Sequence, residues 1–141
     1  SRPIYQYDLQ APVCSVEWNN KVSTGLIAGT AYNTVHVFDF ALDREKALCV
    51  QKVVPDSARL TQLSLNQNYP ILAVGDTMGI VRIFKLSPNL RKRSVFVPEK
   101  KKGQIQVLPP EEQKKKDMEL ELAKVADYVQ WCKKAREANG W

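Results

Sequence analysis

Two stretches of this chain repeat each other 46 residues apart. Gly25-Leu26-Ile27-Ala28-Gly29-Thr30 with Thr34-Val35-His36-Val37-Phe38-Asp39 answers Pro70-Ile71-Leu72-Ala73-Val74-Gly75-Asp76 with Gly79-Ile80-Val81-Arg82-Ile83-Phe84-Lys85. Gly29 falls on Gly75, Val35 on Val81 and Phe38 on Phe84. The apolar runs are short and alternate with polar residues. A period-two pattern bounded by turn residues is that of half-buried strands.

A repeat of this length, closed by an aromatic residue, points to blades of a WD-type β-propeller. Two blades cannot close a ring that takes about 4–8, and repeat arrays generally need about 3 units for stability. The chain is therefore expected to be the C-terminal end of something larger, with a function exercised in assembly. The expected class is all-β: about two blades over residues 1–90, a basic linker over 91–109 and a C-terminal amphipathic helix over 110–139.

Ile4 to Leu9 alternates and predicts an outer strand of a preceding blade. Val13 to Trp18, Leu26 to Thr30, Val35 to Phe40 and Ala47 to Val54 predict the first complete blade. Leu60 to Leu65, Ile71 to Val74 and Ile80 to Leu86 predict the second. No fourth strand of the second blade follows, because Ser87-Pro88-Asn89 breaks the pattern. Gly79 closes a turn after Asp76, where a positive φ costs glycine little, and Asn33 does the same in the first blade. Gly29 and Gly75 are expected where backbones approach closely. Phe38 and Phe84 are expected to pack between blades, each contributing about 1.5–3 kcal/mol on burial. Asp39 and Asp76 read as strand-end and turn carboxylates.

The tail differs in charge. Residues 1–90 carry 8 Lys and Arg against 7 Asp and Glu, whereas residues 91–141 carry 13 against 8. Arg91, Lys92 and Arg93, with Lys100 to Lys102, flank Val95-Phe96-Val97, which could add an edge strand. Pro109-Pro110 before Glu111-Glu112 predicts a helix start, and Asn139-Gly140 its end. Met118, Leu122, Val125, Val129 and Cys132 form one apolar seam, broadened by Tyr128 and Trp131. Leu122, Val125 and Val129 are expected to bury against the blades or a partner subunit. Trp131 and Trp141 are candidate anchors, since aromatic residues are enriched at binding hot spots. Arg91, Lys92 and Arg93 are candidate contacts for an acidic partner.

Cys49-Val50-Gln51, Pro70-Ile71, Lys85-Leu86-Ser87-Pro88-Asn89-Leu90-Arg91-Lys92 and Lys101-Lys102-Gly103-Gln104 together resemble the C-terminal end of axonemal dynein intermediate chains, closest to the outer-arm type. The resemblance is strongest from Val35 to Arg93. It implies a non-catalytic scaffold of the outer dynein arm, acting in arm assembly and ciliary motility. The implied partners are a dynein heavy chain and a second dynein intermediate chain, with docking proteins or tubulin of the doublet microtubules as further candidates. The implied location is the axoneme of a cilium or flagellum, and the cytoplasm during pre-assembly. An alternative from another class is a WD-repeat protein that binds nucleic acid or another polyanion through its basic tail; no nucleic-acid signature accompanies those charges, so nucleic acid is the disfavoured partner.

Enzyme chemistry finds no support in the residues. His36 is the single histidine and lies mid-strand, opposite in direction to Val35 and Val37. Three cysteines, Cys14, Cys49 and Cys132, share no metal-like spacing and read as free thiols of a reducing compartment. Ser87 has no neighbouring base, and no phosphate-binding glycine loop occurs. No cofactor, metal or catalytic residue is expected. No apolar run reaches the ~18 residues of a membrane span, and no signal peptide is visible, so the expected class is soluble and intracellular, with no membrane partner.

Overall fold

The computed structural model describes residues 3–91 and 109–138. Seven strands form two antiparallel sheets. The first holds β1 (Val13–Trp18), β2 (Gly25–Thr30), β3 (Thr34–Asp39) and β4 (Cys49–Lys52) in sequence order. The second holds β5 (Leu60–Leu65), β6 (Ile71–Asp76) and β7 (Val81–Lys85). A four-residue helix, α1 (Pro88–Arg91), follows, and the long α2 spans Pro110–Ala138. Both sheets are meanders of the blade type, and with the terminal helix they make the chain a propeller fragment.

The repeat is carried through to register. In each sheet the first strand is bulged at its start, between Val13 and Ser15 and between Leu60 and Gln62. Val16 faces Ala28 as Leu63 faces Val74, and Gly29 faces Val35 as Gly75 faces Val81. Alternation then sorts the side chains. Ile27, Val35 and Val37 point from the first sheet into a core shared with Leu60, Leu63, Leu65, Leu72 and Val74 of the second. Gly29 is needed there: a Cβ at this position would lie 2.9 Å from Leu60 Cδ2 and 3.1 Å from Leu63 Cδ1.

Asn33 joins the two sheets. It sits in the left-handed region (φ 65°), and its amide donates to the carbonyls of Pro55 (3.1 Å) and Ala58 (2.6 Å) while its oxygen accepts from the Leu60 amide (2.9 Å). Asn33→Ala strips partners from three backbone groups and leaves a Cβ residue in a conformation that L-residues disfavour. A loss of about 2–4 kcal/mol is expected, read as a lower urea midpoint; a melt unchanged within error would contradict this role.

Three expectations need correction. Ile4 to Leu9 forms no strand; Tyr7 and Leu9 instead lie over Ala28, Phe38 and Phe40 on the outward face of the first sheet. Alternation survives because one side of the segment is buried, but no neighbouring strand among the described residues pairs with it. Leu122 and Val125 are exposed rather than buried on the sheets, for the reason given below. Phe38 faces outward towards Tyr7, whereas Phe84 packs half-buried against the core between the sheets. The proposed edge strand Val95-Phe96-Val97 lies outside the described residues.

Candidate protein-binding surfaces

Turn chemistry fixes the ends of the blades. Thr24 Oγ1 donates to Asp39 (2.6 Å), which also accepts from the Ala41 amide (3.0 Å). Asp76 accepts from the amides of Met78 (2.9 Å) and Ile80 (3.1 Å) and pairs with Arg82, while Gly79 takes a φ of 78°. Burial alone would push the Asp76 carboxyl up. The Arg82 guanidinium and the two amides outweigh it and hold it below the ordinary carboxylate range. His36 is half-buried, its Nε2 3.2 Å from Thr34 Oγ1, and burial lowers its pKa. These groups are engaged in holding the scaffold.

Helix α2 docks across one end of the first sheet through two anchors. The Tyr128 ring stacks on Phe40 with centroids 4.5 Å apart and 13° between planes. Its hydroxyl lies 3.1 Å from that of Tyr7, which donates to the Arg44 carbonyl (2.6 Å). Burial raises the pKa of both phenols. Trp131 meets Tyr5 (5.2 Å) and lies under the Arg44 guanidinium (5.6 Å), which also pairs with Asp127. Cys132 is fully buried beside them. The second anchor is at the β1–β2 turn, where Ser23 donates its amide (3.0 Å) and hydroxyl to the Glu121 carboxylate.

The buried stripe of α2 thus runs through Glu121, Lys124, Tyr128 and Cys132. At 3.6 residues per turn, Met118, Leu122 and Val125 lie about a quarter of a turn round the helix. Aromatic area and charged anchors orient the helix, and the aliphatic seam is left facing solvent. Val129 is half-buried at the margin. A groove of about 400 Å³ separates this seam from the β1–β2 turn, lined by Asn20, Lys21, Lys114 and Met118 among others.

Of the candidate contacts, the structure brings Trp131 into the docked face and sets Leu122 and Val125 beside it, exposed. Arg91 ends α1; Lys92, Arg93 and Trp141 lie outside the described residues. Tyr5, Tyr7, Phe40, Arg44 and Ser23 form the seat of the helix and were missed by the sequence reading. Among the described residues, no group of three His, Cys, Asp or Glu side chains could hold a metal ion, and no helix is long and apolar enough to cross a membrane.

One strip of each sheet's outward side is also exposed. Val13, Val16 and Trp18 are exposed along β1, and Val81 and Ile83 along β7. They lie on opposite sides of the two-sheet stack. Among the described residues, β7 has no partner on its outer edge.

No family model matches the chain. Among curated proteins it is 44% identical over 102 residues to the ciliary dynein intermediate chain 2 of Heliocidaris crassispina, covering 72% of this chain. It is 39% identical over 134 residues to the 78 kDa intermediate chain of the flagellar outer arm of Chlamydomonas reinhardtii, covering 95%. To the axonemal intermediate chain 1 of Bos taurus it is 40% identical over 124 residues, covering 86%. The chain spans only 14–17% of the length of these relatives. Among solved structures, the β-propeller domain of Myceliophteria thermophila Cps50 (Swd1) aligns with a TM-score of 0.44 and 23% identity, covering 55% of this chain and 23% of that one. Chaetomium thermophilum Raptor aligns with a TM-score of 0.45 and 15% identity, covering 58% and 7%. With its paired WD-type repeats and 39–44% identity over most of its length, this chain is a homologue of the dynein intermediate chains of the axoneme, the outer-arm type among them.

Proposed function

We propose that the chain is part of a non-catalytic scaffold subunit of an axonemal outer dynein arm. In this reading it completes a propeller that grips a dynein heavy chain and pairs with a second intermediate chain during arm assembly. The observation that carries the reading is the 39–44% identity to ciliary and flagellar intermediate chains over 72–95% of the chain. The exposed strips on β1 and β7 agree with it, since they suit a segment that works inside a larger ring. Motor chemistry belongs to other subunits in this scheme, and the axoneme is the site of action, reached after pre-assembly in the cytoplasm. Residues 1–90 supply the blades, 91–109 the basic linker and 110–139 the helix.

The exposed seam Leu122–Val125 is the surface of α2 offered to a neighbouring subunit. Val125→Asp places a charge on that seam without touching the Tyr128 anchor. Capture of dynein subunits from a ciliary extract should weaken about tenfold, the effect of 1.4 kcal/mol. Undiminished capture would remove the seam from the interface.

A further inference from the structure

The end of the sheet stack that carries the β2–β3 and β6–β7 turns is built alike in both repeats. Tyr32 falls on Met78, 46 residues on, and each stands exposed at the tip of its turn, at 68% and 66%. Between the two turns runs the connection from β4 to β5. Asn33 holds that connection from one side, through Pro55, Ala58 and Leu60. Thr77 holds it from the other: its hydroxyl accepts from the Arg59 amide (3.0 Å), and its amide donates to the Arg59 carbonyl (2.9 Å). Arg59 is thereby presented, exposed, on a strap pinned to both turns.

Blades of a propeller stand side by side around its axis and pack through their sheet faces, whereas these tips project from the strand ends. Further blades would lengthen this rim and leave it open. The helices attach at the other end of the sheets, where Asn19 Nδ2 donates to the Leu90 carbonyl of α1 (2.7 Å) and Ser23 meets Glu121 of α2. Of the other charges on the rim, Lys52 pairs with Asp56, and Asp76 is buried against Arg82. Among the described residues no carboxylate pairs with Arg59. Tyr, Met and Arg are the residue types enriched where proteins meet, and Tyr and Arg recur at binding hot spots. Pinned turns also have little freedom left to lose on association.

We propose that this rim, with Tyr32, Arg59 and Met78 at its centre, docks an acidic segment of another protein. An apolar side chain of that segment rests against Tyr32 and Met78, and a carboxylate reaches the Arg59 guanidinium, whose fork suits bidentate pairing. A nucleic-acid strand is the poorer occupant. Its affinity grows with the number of phosphates neutralised, and among the described residues the rim offers Arg59 as its one unpaired cation. The inference uses the rim alone and holds whichever subunit supplies the segment.

Photo-cross-linking within the complex that the protein forms in ciliated cells tests it. A benzophenone amino acid replaces Tyr32 or, separately, Met78, with the exposed Leu42 at the other end of the sheets as the control position. The tagged complex is isolated and irradiated, and the attached peptides are sequenced. Both rim probes should attach to the same polypeptide segment, with Asp or Glu within a few residues of the attachment point, and the Leu42 probe should miss it. Arg59→Glu should lower the yield at Tyr32 about tenfold, since it sets like charges together, and Arg59→Lys should keep most of it. Circular dichroism checks that the sheets of the Arg59→Glu chain are intact. The proposal is overturned by no attachment at either rim position, by attachment to unrelated segments, to a segment without carboxylates or to nucleic acid, or by a yield indifferent to Arg59→Glu. Dynein subunits present in or absent from the same complex judge the outer-arm reading separately.

Discussion

Leu63→Ala is expected to lower the unfolding free energy by about 2–5 kcal/mol. Leu63 is fully buried and fills the space that Gly29 leaves open, so truncation opens a cavity at the centre of the core the two sheets share. Little can collapse into it, because β2 on the far side presents backbone at Gly29 rather than a mobile side chain. Urea unfolding followed by circular dichroism should show an early midpoint with a single transition. A loss below about 1 kcal/mol, within the range of ordinary surface substitutions and their neighbours, would mean that the sheets do not depend on this contact. Val16→Ala, at the corresponding exposed position of the first sheet, serves as the control and should change stability by no more than about 0.5 kcal/mol.

The second large effect is expected at Tyr128. Its ring stacks on Phe40 and its hydroxyl meets Tyr7, so Tyr128→Ala removes both the apolar contact and a hydrogen bond. About 2–4 kcal/mol of docking energy should be lost. Hydrogen exchange should then show α2 exposed along the stretch from Lys124 to Ala135 while β2 and β3 keep their protection. Leu122→Ala should leave exchange in α2 unchanged, because Leu122 touches solvent. The reverse ranking, with Leu122 dominant, would contradict the observed orientation of the helix.

Much of the β architecture was legible because strands of this kind announce themselves twice: by alternation and by repetition. Val35 and Val81 mark equivalent places even though one is buried and the other bare. Exposure was the part hidden from the sequence, since it depends on which faces find a neighbour. Ile4 to Leu9 misled for a related reason. Alternation reports a buried side, not a hydrogen-bonded edge, and Tyr7 is half-buried without a strand partner among the described residues.

The helix was legible in extent and misleading in orientation. Counting aliphatic residues at spacings of 3 and 4 selects Met118, Leu122, Val125 and Val129. What orients the helix instead is the larger contact area of Tyr128 and Trp131, together with the Glu121 and Asp127 carboxylates. Their partners Ser23 and Arg44 lie 98 and 83 residues away in sequence, and no local pattern marks them. The turn groups Asp76 and Gly79 were easier, because they act on backbone within a few residues of themselves; Asn33 was legible only as a turn residue, since the groups its side chain bonds lie 22 to 27 residues on.

The central claim is that this chain works as an intermediate-chain segment within a dynein arm. Its most direct test is affinity capture from an axonemal extract, with the tagged chain as bait and washes at low and high salt. Contacts to phosphates or other polyanions weaken steeply as salt rises, whereas a packed protein interface loses much less. Retention of a dynein heavy chain and a second intermediate chain through the high-salt wash is the predicted result. Recovery of nucleic acid or other polyanions alone, released at high salt, would contradict it and transfer the function to the basic tail.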